Sequence, residues 1–181
     1  MFKRNFFLSL ACLLFLVSGA AKADGLKTVP SVDLNQYLGT WYQISRNILF
    51  FEMDCSACSR QVLAPQADGS ASVWNTCNQG SPLGRVVSIR GTATVENPQT
   101  NAELLVDFGL PNKGQYWIIA LAPDYHWAVV SDPTKKSLYV LSKTPTLDSD
   151  SYKAAVAAAS VQVDTSQLAI TNQSDCSYPA N

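Results

Sequence analysis

The chain has 181 residues, and 13 Lys and Arg against 14 Asp and Glu give it a formal net charge of −1 at pH 7. Adjacent basic residues occur only as Lys3-Arg4 and Lys135-Lys136. No segment is therefore basic enough to hold a nucleic acid or an anionic membrane surface by charge alone, and we expect no nucleic-acid partner.

The first residues have the order of a secretory signal peptide. Two basic residues precede an uncharged apolar run over residues 6–17, and the Ala-Lys-Ala of residues 21–23 has the spacing of a cleavage site. A run of about a dozen residues is too short for a transmembrane helix, which needs roughly 20. We expect residues 1–23 to be removed on export, leaving residues 24–181 as a single domain. An alternative is a lipoprotein signal with an acylated Cys12, which lies in the middle of the apolar run.

Four cysteines remain after such cleavage: Cys55, Cys58, Cys77 and Cys176. An even number of cysteines in an exported chain indicates two disulfides. The C-x-x-C spacing of the first two also fits half a zinc site, but the chain has no second such pair and only one histidine. A thioredoxin-like redox site would need this motif at the start of a helix, whereas the flanking residues are typical of strands. We therefore expect disulfides and no metal site.

A succession of short strands follows in the chain. Residues 33–39 predict a helical turn capped by Asp33 and ended by Gly39. Segments that favour strands then recur at intervals of about ten residues, separated by turn residues such as Asp68-Gly69. The predicted strands cover residues 40–45, 60–64, 70–76, 86–95, 103–108, 116–122, 127–131 and 138–143. Eight strands in succession predict an all-β, up-and-down antiparallel barrel, because closure removes the exposed edges of an open sheet.

One helix interrupts this pattern near the end of the chain. Residues 149–160 are rich in alanine, with Asp148 or Ser149 as the cap, which predicts a C-terminal α-helix packed on the outside of the barrel. Residues 168–171 predict a short final strand. We expect the remaining tail to be loose except where Cys176 holds it.

Four motifs together point to a known family. Gly39-Thr40-Trp41 follows the helical turn and resembles the G-x-W signature of lipocalins. Residues 116–120 (Tyr-Trp-Ile-Ile-Ala), 126–130 (His-Trp-Ala-Val-Val) and 139–145 (Tyr-Val-Leu-Ser-Lys-Thr-Pro) follow in the order expected for that family. On these motifs the chain is identified as a lipocalin over residues 32–176, in the branch of bacterial outer-membrane lipocalins and apolipoprotein D.

The resemblance implies how one end of the barrel closes. In the family the signature tryptophan plugs the closed end, and a basic side chain from the last strand stacks on its indole ring. Trp41 and Lys143 hold these positions here. The family usually has arginine in place of the lysine. Because lysine lacks the flat guanidinium group, we expect a looser closure.

The resemblance also implies a ligand and the residues that line its cavity. An eight-stranded barrel can hold one small molecule, and a fatty acid, a lysophospholipid or a similar amphiphile is the class implied. Asn75, Phe108 and Tyr139 match cavity-lining positions, and Trp117 is included although its neighbour Tyr116 must point to the opposite face. A cation or hydroxyl near the mouth would suit a carboxylate, and the candidates are Arg60, Arg85, Arg90 and Tyr125.

The pairing of the cysteines rests on the same resemblance. Cys176 resembles a C-terminal cysteine that apolipoprotein D ties to its second strand. A hairpin turn over residues 67–70 would bring Cys58 near Cys77. We expect Cys58–Cys77 and Cys55–Cys176, with Cys58–Cys176 and Cys55–Cys77 as the alternative pairing.

The sequence favours a binding protein over an enzyme. It has no G-x-S-x-G elbow, phosphate-binding loop or H-E-x-x-H motif, and the single His126 beside a strand is more typical of a structural residue. We expect no cofactor. The Ile-Leu-Phe-Phe of residues 48–51 predicts either a lid over the pocket or an exposed patch that contacts a protein or the outer membrane. The expected location is periplasmic or secreted, with outer-membrane association as a further option.

Overall fold

A computed structural model describes residues 25–47 and 55–180. The predicted signal peptide and the apolar loop of residues 48–51 lie outside these residues. The described residues contain the helices α1 (Leu34–Tyr37) and α2 (Ser149–Ser160). Their strands are β1 (Gly39–Asn47), β2 (Cys55–Pro65), β3 (Ala71–Gln79), β4 (Val86–Val95), β5 (Glu103–Asp107), β6 (Gly114–Leu121), β7 (Trp127–Ser131), β8 (Leu138–Ser142) and β9 (Leu168–Ile170).

The strands form one antiparallel sheet that closes on itself. Each strand from β2 to β8 pairs with the next along the chain, and β1 pairs with both β8 and β2. The short β9 pairs with the end of β1, beyond the residues of β1 that pair with β2. The predicted eight-stranded barrel with a C-terminal helix is confirmed, as is the short final strand. The bounds differ most in β2, which begins at residue 55 where the sequence predicts residue 60.

Alternation along the strands separates an inner apolar cluster from an outer one. The inner cluster fills the barrel and includes the buried residues Trp41, Leu63, Val73, Val106 and Ile118. The outer cluster lies between the barrel wall and α2 and includes Ile119, Val129, Val140, Ala155 and Ala159. Two fully buried alanines on α2 let the helix approach the wall closely, because their side chains are small. In the described part of the chain, no helix is long and apolar enough to span a membrane.

A capping carboxylate fixes where α2 begins. Asp148 accepts hydrogen bonds from the backbone N–H groups of Ser151 and Asp150, and the bond from Ser151 is the main reason why the pKa of Asp148 is lowered. An Asp at this position satisfies donors that would otherwise have no partner in the first helical turn. The predicted helix is therefore confirmed, and of the two candidate caps Asp148 is the one that caps it.

The expected cysteine pairing is wrong, and the alternative is the one formed. The disulfides are Cys55–Cys77 and Cys58–Cys176. The register between β2 and β3 is irregular between Cys55 and Arg60. Counting residues back from the hairpin turn therefore gives the wrong partner for Cys58. Cys58 has a positive φ of 55° and donates its backbone N–H to Asn172 O, which directs it towards the C-terminal tail. Cys55 pairs with Gln79 of β3 and so lies diagonal to Cys77, which is on the same face of that strand.

The two disulfides should differ in their contribution to stability. They close loops of 22 and 118 residues, for which the chain-entropy relation gives about 3.4 and about 4.9 kcal/mol. Urea unfolding of Cys55→Ala/Cys77→Ala and Cys58→Ala/Cys176→Ala proteins should therefore show the larger loss in the second variant, by about 1.5 kcal/mol. An equal or smaller loss in the second variant would contradict this expectation.

Candidate ligand-binding site

The closed end of the barrel is built on Trp41. Its side chain is fully buried, and its Nε1 donates to Tyr37 O at 2.7 Å. The Lys143 ammonium lies 4.1 Å from the indole centroid and donates to Tyr37 O at 2.9 Å and to Leu38 O at 2.7 Å. Burial lowers the pKa of Lys143 to about 8, so the side chain still carries its charge at neutral pH. A cation–π contact and two hydrogen bonds thus join the end of β8 to the C-terminal end of α1.

Loss of the Lys143 ammonium should weaken the closed end. Lys143→Met removes the cation from the indole face and the donor from two carbonyl groups, and we expect the free energy of unfolding to fall by about 1–3 kcal/mol. Lys143→Arg should recover most of this loss. The matched control is Lys153→Met, because Lys153 is 72% exposed and pairs only with Asp150 on the helix surface. Chemical denaturation of the three variants measures the difference, and equal losses in both Met variants would contradict the assigned role.

The inner wall carries a polar group without a partner. Asn75 pairs in register with Gln61 on β2 and with Ile89 on β4, which places all three on the inner face. Its Oδ1 is buried and accepts no hydrogen bond from the described residues. Buried polar atoms are rarely left unpaired in proteins, so this oxygen is a candidate acceptor for a ligand. Asn75 thus lies where the sequence places it, on the cavity side of β3.

A chain of hydroxyl groups lies deeper in the barrel. Tyr37 and Tyr116 hydroxyl groups are 2.8 Å apart, and Tyr116 donates to Gln61 Oε1 at 3.1 Å. Burial raises the pKa of both tyrosines well above their usual value, so this region disfavours negative charge. A small cavity with room for about one water molecule adjoins it and is lined by Gln61, Leu63, Ala93, Leu104, Val106 and Tyr116. Apart from Gln61 and Tyr116, the lining is entirely aliphatic.

Trp117 is not part of this inner wall, which corrects the expectation from the sequence. Tyr116 packs on the inner cluster, whereas Trp117 packs on the outer cluster with the residues under α2. Its Nε1 donates to Gln115 Oε1 at 3.1 Å, on the outside of the barrel. Adjacent residues of a strand point to opposite faces, and here Tyr116 takes the inner one.

Two of the remaining expected residues do face the interior. Phe108 and Tyr139 are partly buried and pack against the inner cluster. Phe108 approaches β4 at Gly91, where an added Cβ would lie 2.7 Å from the Phe108 ring and 2.4 Å from Asp107 O. Gly91 therefore provides the space for this contact. Ile89, on the same face of β4, is 38% exposed, so the inner wall is open to solvent at this level.

The expected mouth residues lie elsewhere. Arg60 faces outwards, 5.5 Å from the Trp74 ring centroid and 5.3 Å from that of Tyr178. Arg90 covers the Trp74 ring from 4.2 Å on the same outer face. Tyr125 accepts a hydrogen bond from the Asp33 N–H at the closed end. Of the four candidates only Arg85 lies next to an open-end loop, where it donates to Gln79 Oε1.

His126 forms a polar contact that fastens α2 to the barrel. Its Nδ1 contacts the Asp124 carboxylate, and its Nε2 lies 3.0 Å from Ser151 Oγ. The Ser-His-Asp order matches the nucleophile, base and acid of a catalytic triad. The nearby backbone N–H groups of α2, which could otherwise stabilise an oxyanion, already donate to the Asp148 carboxylate. A carboxylate in that place would repel the oxyanion of an acyl-transfer reaction. In the described ranges no group of three His, Cys, Asp or Glu side chains could hold a metal ion.

Sequence reasoning missed Gln61, Tyr116, Ile89 and Gly91. A usable signal was present, because a hairpin centred on Asp68 pairs Gln61 with Asn75, and alternation then places both on one face. Tyr116 was the alternative to Trp117, since only one of two adjacent strand residues can face the interior. The space at Gly91 has no such signal. It depends on where Phe108, which begins the connection from β5 to β6, passes β4.

Comparison with known proteins assigns the family. The model of the lipocalin-like domain matches residues 32–173. The chain belongs to the lipocalin family. Among lipocalins, it is 28% identical over 165 residues to temperature-induced lipocalin-1 of Arabidopsis thaliana, covering 86% of this chain and 87% of that protein. It is 32% identical over 138 residues to the outer membrane lipoprotein Blc of Vibrio cholerae, covering 76% and 80%.

Solved lipocalin structures share the fold. Insecticyanin from the tobacco hornworm Manduca sexta superposes with a TM-score of 0.64 at 19% identity, covering 81% of this chain and 84% of that one. This family generally binds small hydrophobic molecules inside the barrel, and its members are typically not enzymes. The two disulfides of the present lipocalin point to an oxidising compartment outside the cytoplasm.

Proposed function

We propose that this lipocalin binds a small hydrophobic ligand in its barrel and carries or stores it. The observation that carries the proposal is the inner wall itself. It is buried and aliphatic at Leu63, Val73 and Val106, holds one unpaired acceptor at Asn75, and opens to solvent at Ile89. An apolar cleft with a few placed polar groups is the usual composition of a small-molecule site.

Fatty acids, lysophospholipids and similar amphiphiles are the ligand class that we propose. Their acyl chain suits the aliphatic wall, and a head group with an O–H donor, such as the glycerol hydroxyl of a lysophospholipid or a fatty acid bound in its protonated form, suits Asn75 Oδ1. Phe108, directly after β5, and Tyr139 on β8 would contact the chain. We further propose that the protein is not an enzyme, needs no cofactor, and is exported to the periplasm or beyond after removal of residues 1–23.

Ligand binding can be tested at two positions of β4 that point to opposite faces. Ile89 and Val86 are 38% and 43% exposed, and the register of β4 places them on opposite faces. Ile89→Asp puts a charge on the inner wall and should weaken binding of a dansyl-labelled undecanoic acid about tenfold or more. Val86→Asp should leave the affinity unchanged. Fluorescence titration of the mature protein measures both, and equal affinities for the two variants would place the ligand outside the barrel.

A contact with the cell envelope is a second function favoured by a specific observation. Leu83 and Leu110 are 86% and 56% exposed, and they lie in the β3–β4 and β5–β6 connections at the open end. Exposed apolar patches are typical of surfaces that contact a partner or a membrane, and these two leucines lie at the same end of the barrel. The apolar residues 48–51 connect β1 to β2 but lie outside the described residues.

Vesicle binding tests this second function. Leu83→Ser/Leu110→Ser should reduce co-sedimentation with phospholipid vesicles that carry anionic lipid, while the affinity for the dansyl-labelled acid stays unchanged. Val161→Ser is the matched control, because Val161 is 83% exposed at the far end of α2. If the double variant and the control sediment equally with the vesicles, the two leucines are ordinary surface residues.

A further inference from the structure

The barrel wall is not continuous between β1 and β2. The two strands pair only from Gly39 opposite Leu63 to Tyr42 opposite Arg60. Beyond Tyr42, towards the open end, β1 pairs instead with β9, and the start of β2 bridges Asn172 in the parallel sense. Residues 168–173, here called the seam segment, therefore occupy the gap between the two strands over the open half of the barrel.

Polar contacts hold the middle of the seam segment to β1, while Leu168 at its start packs on the outer apolar cluster. The Thr171 N–H donates to Ile44 O at 2.9 Å, and the Gln43 amide donates to Thr171 Oγ1 at 2.8 Å. The Gln173 side chain reaches both strands, donating to Gln43 O at 2.8 Å and to Ser59 O at 2.7 Å. Apart from the packing of Leu168, these contacts and the short β9 ladder are polar, and each contributes little net free energy.

The attachment to β2 is covalent. Cys58 N–H donates to Asn172 O at 2.8 Å, and its side chain forms the disulfide with Cys176. Tyr178 follows on the outer face, where its ring lies 5.3 Å from the Arg60 guanidinium, and Arg60 also donates to Pro179 O. The segment is thus fixed firmly on one side and weakly on the other.

The seam segment is also more exposed than the barrel strands. None of residues 168–173 is buried, and Ile170 is 67% exposed, whereas every residue of β7 is buried. Segments with few buried apolar contacts and solvent-exposed hydrogen bonds are the first to open in native proteins. If the segment moved away from β1, a gap of one strand's width, about 5 Å, would open between the strands on either side, which is about the width of an acyl chain. The Arg46 side chain, which donates to Cys55 O at 2.8 Å across this gap, would also have to release β2.

We infer that the seam segment is a lateral gate, which swings away from β1 on its Cys58–Cys176 attachment and lets an elongated ligand pass between β1 and β2. This inference rests on the proposed function, because it requires a ligand in the barrel. It assigns the weak side of the gap to the polar contacts of Gln43, Thr171 and Gln173. It assigns to the disulfide the role of keeping the open segment attached.

The rate of ligand dissociation tests the gate. Thr171→Val keeps the shape of the side chain and removes the acceptor of the Gln43 amide, so dissociation of the dansyl-labelled undecanoic acid should become about two- to tenfold faster. Cys58→Ala/Cys176→Ala frees the segment from β2 as well and should give a larger increase. Stopped-flow displacement by excess unlabelled fatty acid measures both rates in the full mature chain.

Two matched variants separate gating from general loosening. Thr94→Val makes the same change at an exposed position on β4, and Cys55→Ala/Cys77→Ala removes the disulfide that does not hold the segment. Both should dissociate at the parent rate. Faster dissociation in these controls to the same extent, or unchanged rates in both seam variants, would overturn the gate while leaving ligand binding intact. A parent protein that does not bind the probe at all would overturn the proposed function and the gate together.

Discussion

Closure of the sheet at β1 is the constraint on which the molecule depends. One edge of this strand pairs with β8, and the other is shared between β2 near the closed end and β9 near the open end. Trp41 lies on this strand and fills the closed end, where Lys143 joins it to the strand that closes the barrel. The floor of the site, its inner wall and its seam are thus all set by one strand of nine residues.

The inner and outer faces follow from alternation once that strand is in place. Gln61, Asn75 and Ile89 stand side by side across three strands because their registers align. The same rule sends Arg60 and Arg90 to the outer face, where both guanidinium groups stack with Trp74. A stacked, outward-facing cation is satisfied by aromatic rings and carbonyl groups, so it does not need a carboxylate partner.

Local signals were sufficient for most of the fold. Turn residues and strand propensity gave eight of the nine strands within a few residues and gave α2 with two candidate caps, because these features depend on near neighbours. Signals failed where the backbone departs from a regular ladder. The irregular start of β2 turns Cys58 towards the tail and exchanges the disulfide partners, and no property of the cysteines themselves marks that change. The inward choice between Tyr116 and Trp117 likewise depends on register, which composition does not set.

The long reach of the Cys58–Cys176 bridge has a consequence for the order of folding. Hairpins such as the one at residues 66–70 close loops of a few residues, while the bridge joins positions 118 residues apart. The entropy of loop closure grows with separation, and distant contacts form after local ones. The meander of β2 to β8 can thus assemble as an open sheet before its last edge is joined. A hydrophobic molecule present at that stage meets the inner wall directly, so loading during folding needs no passage through the finished wall.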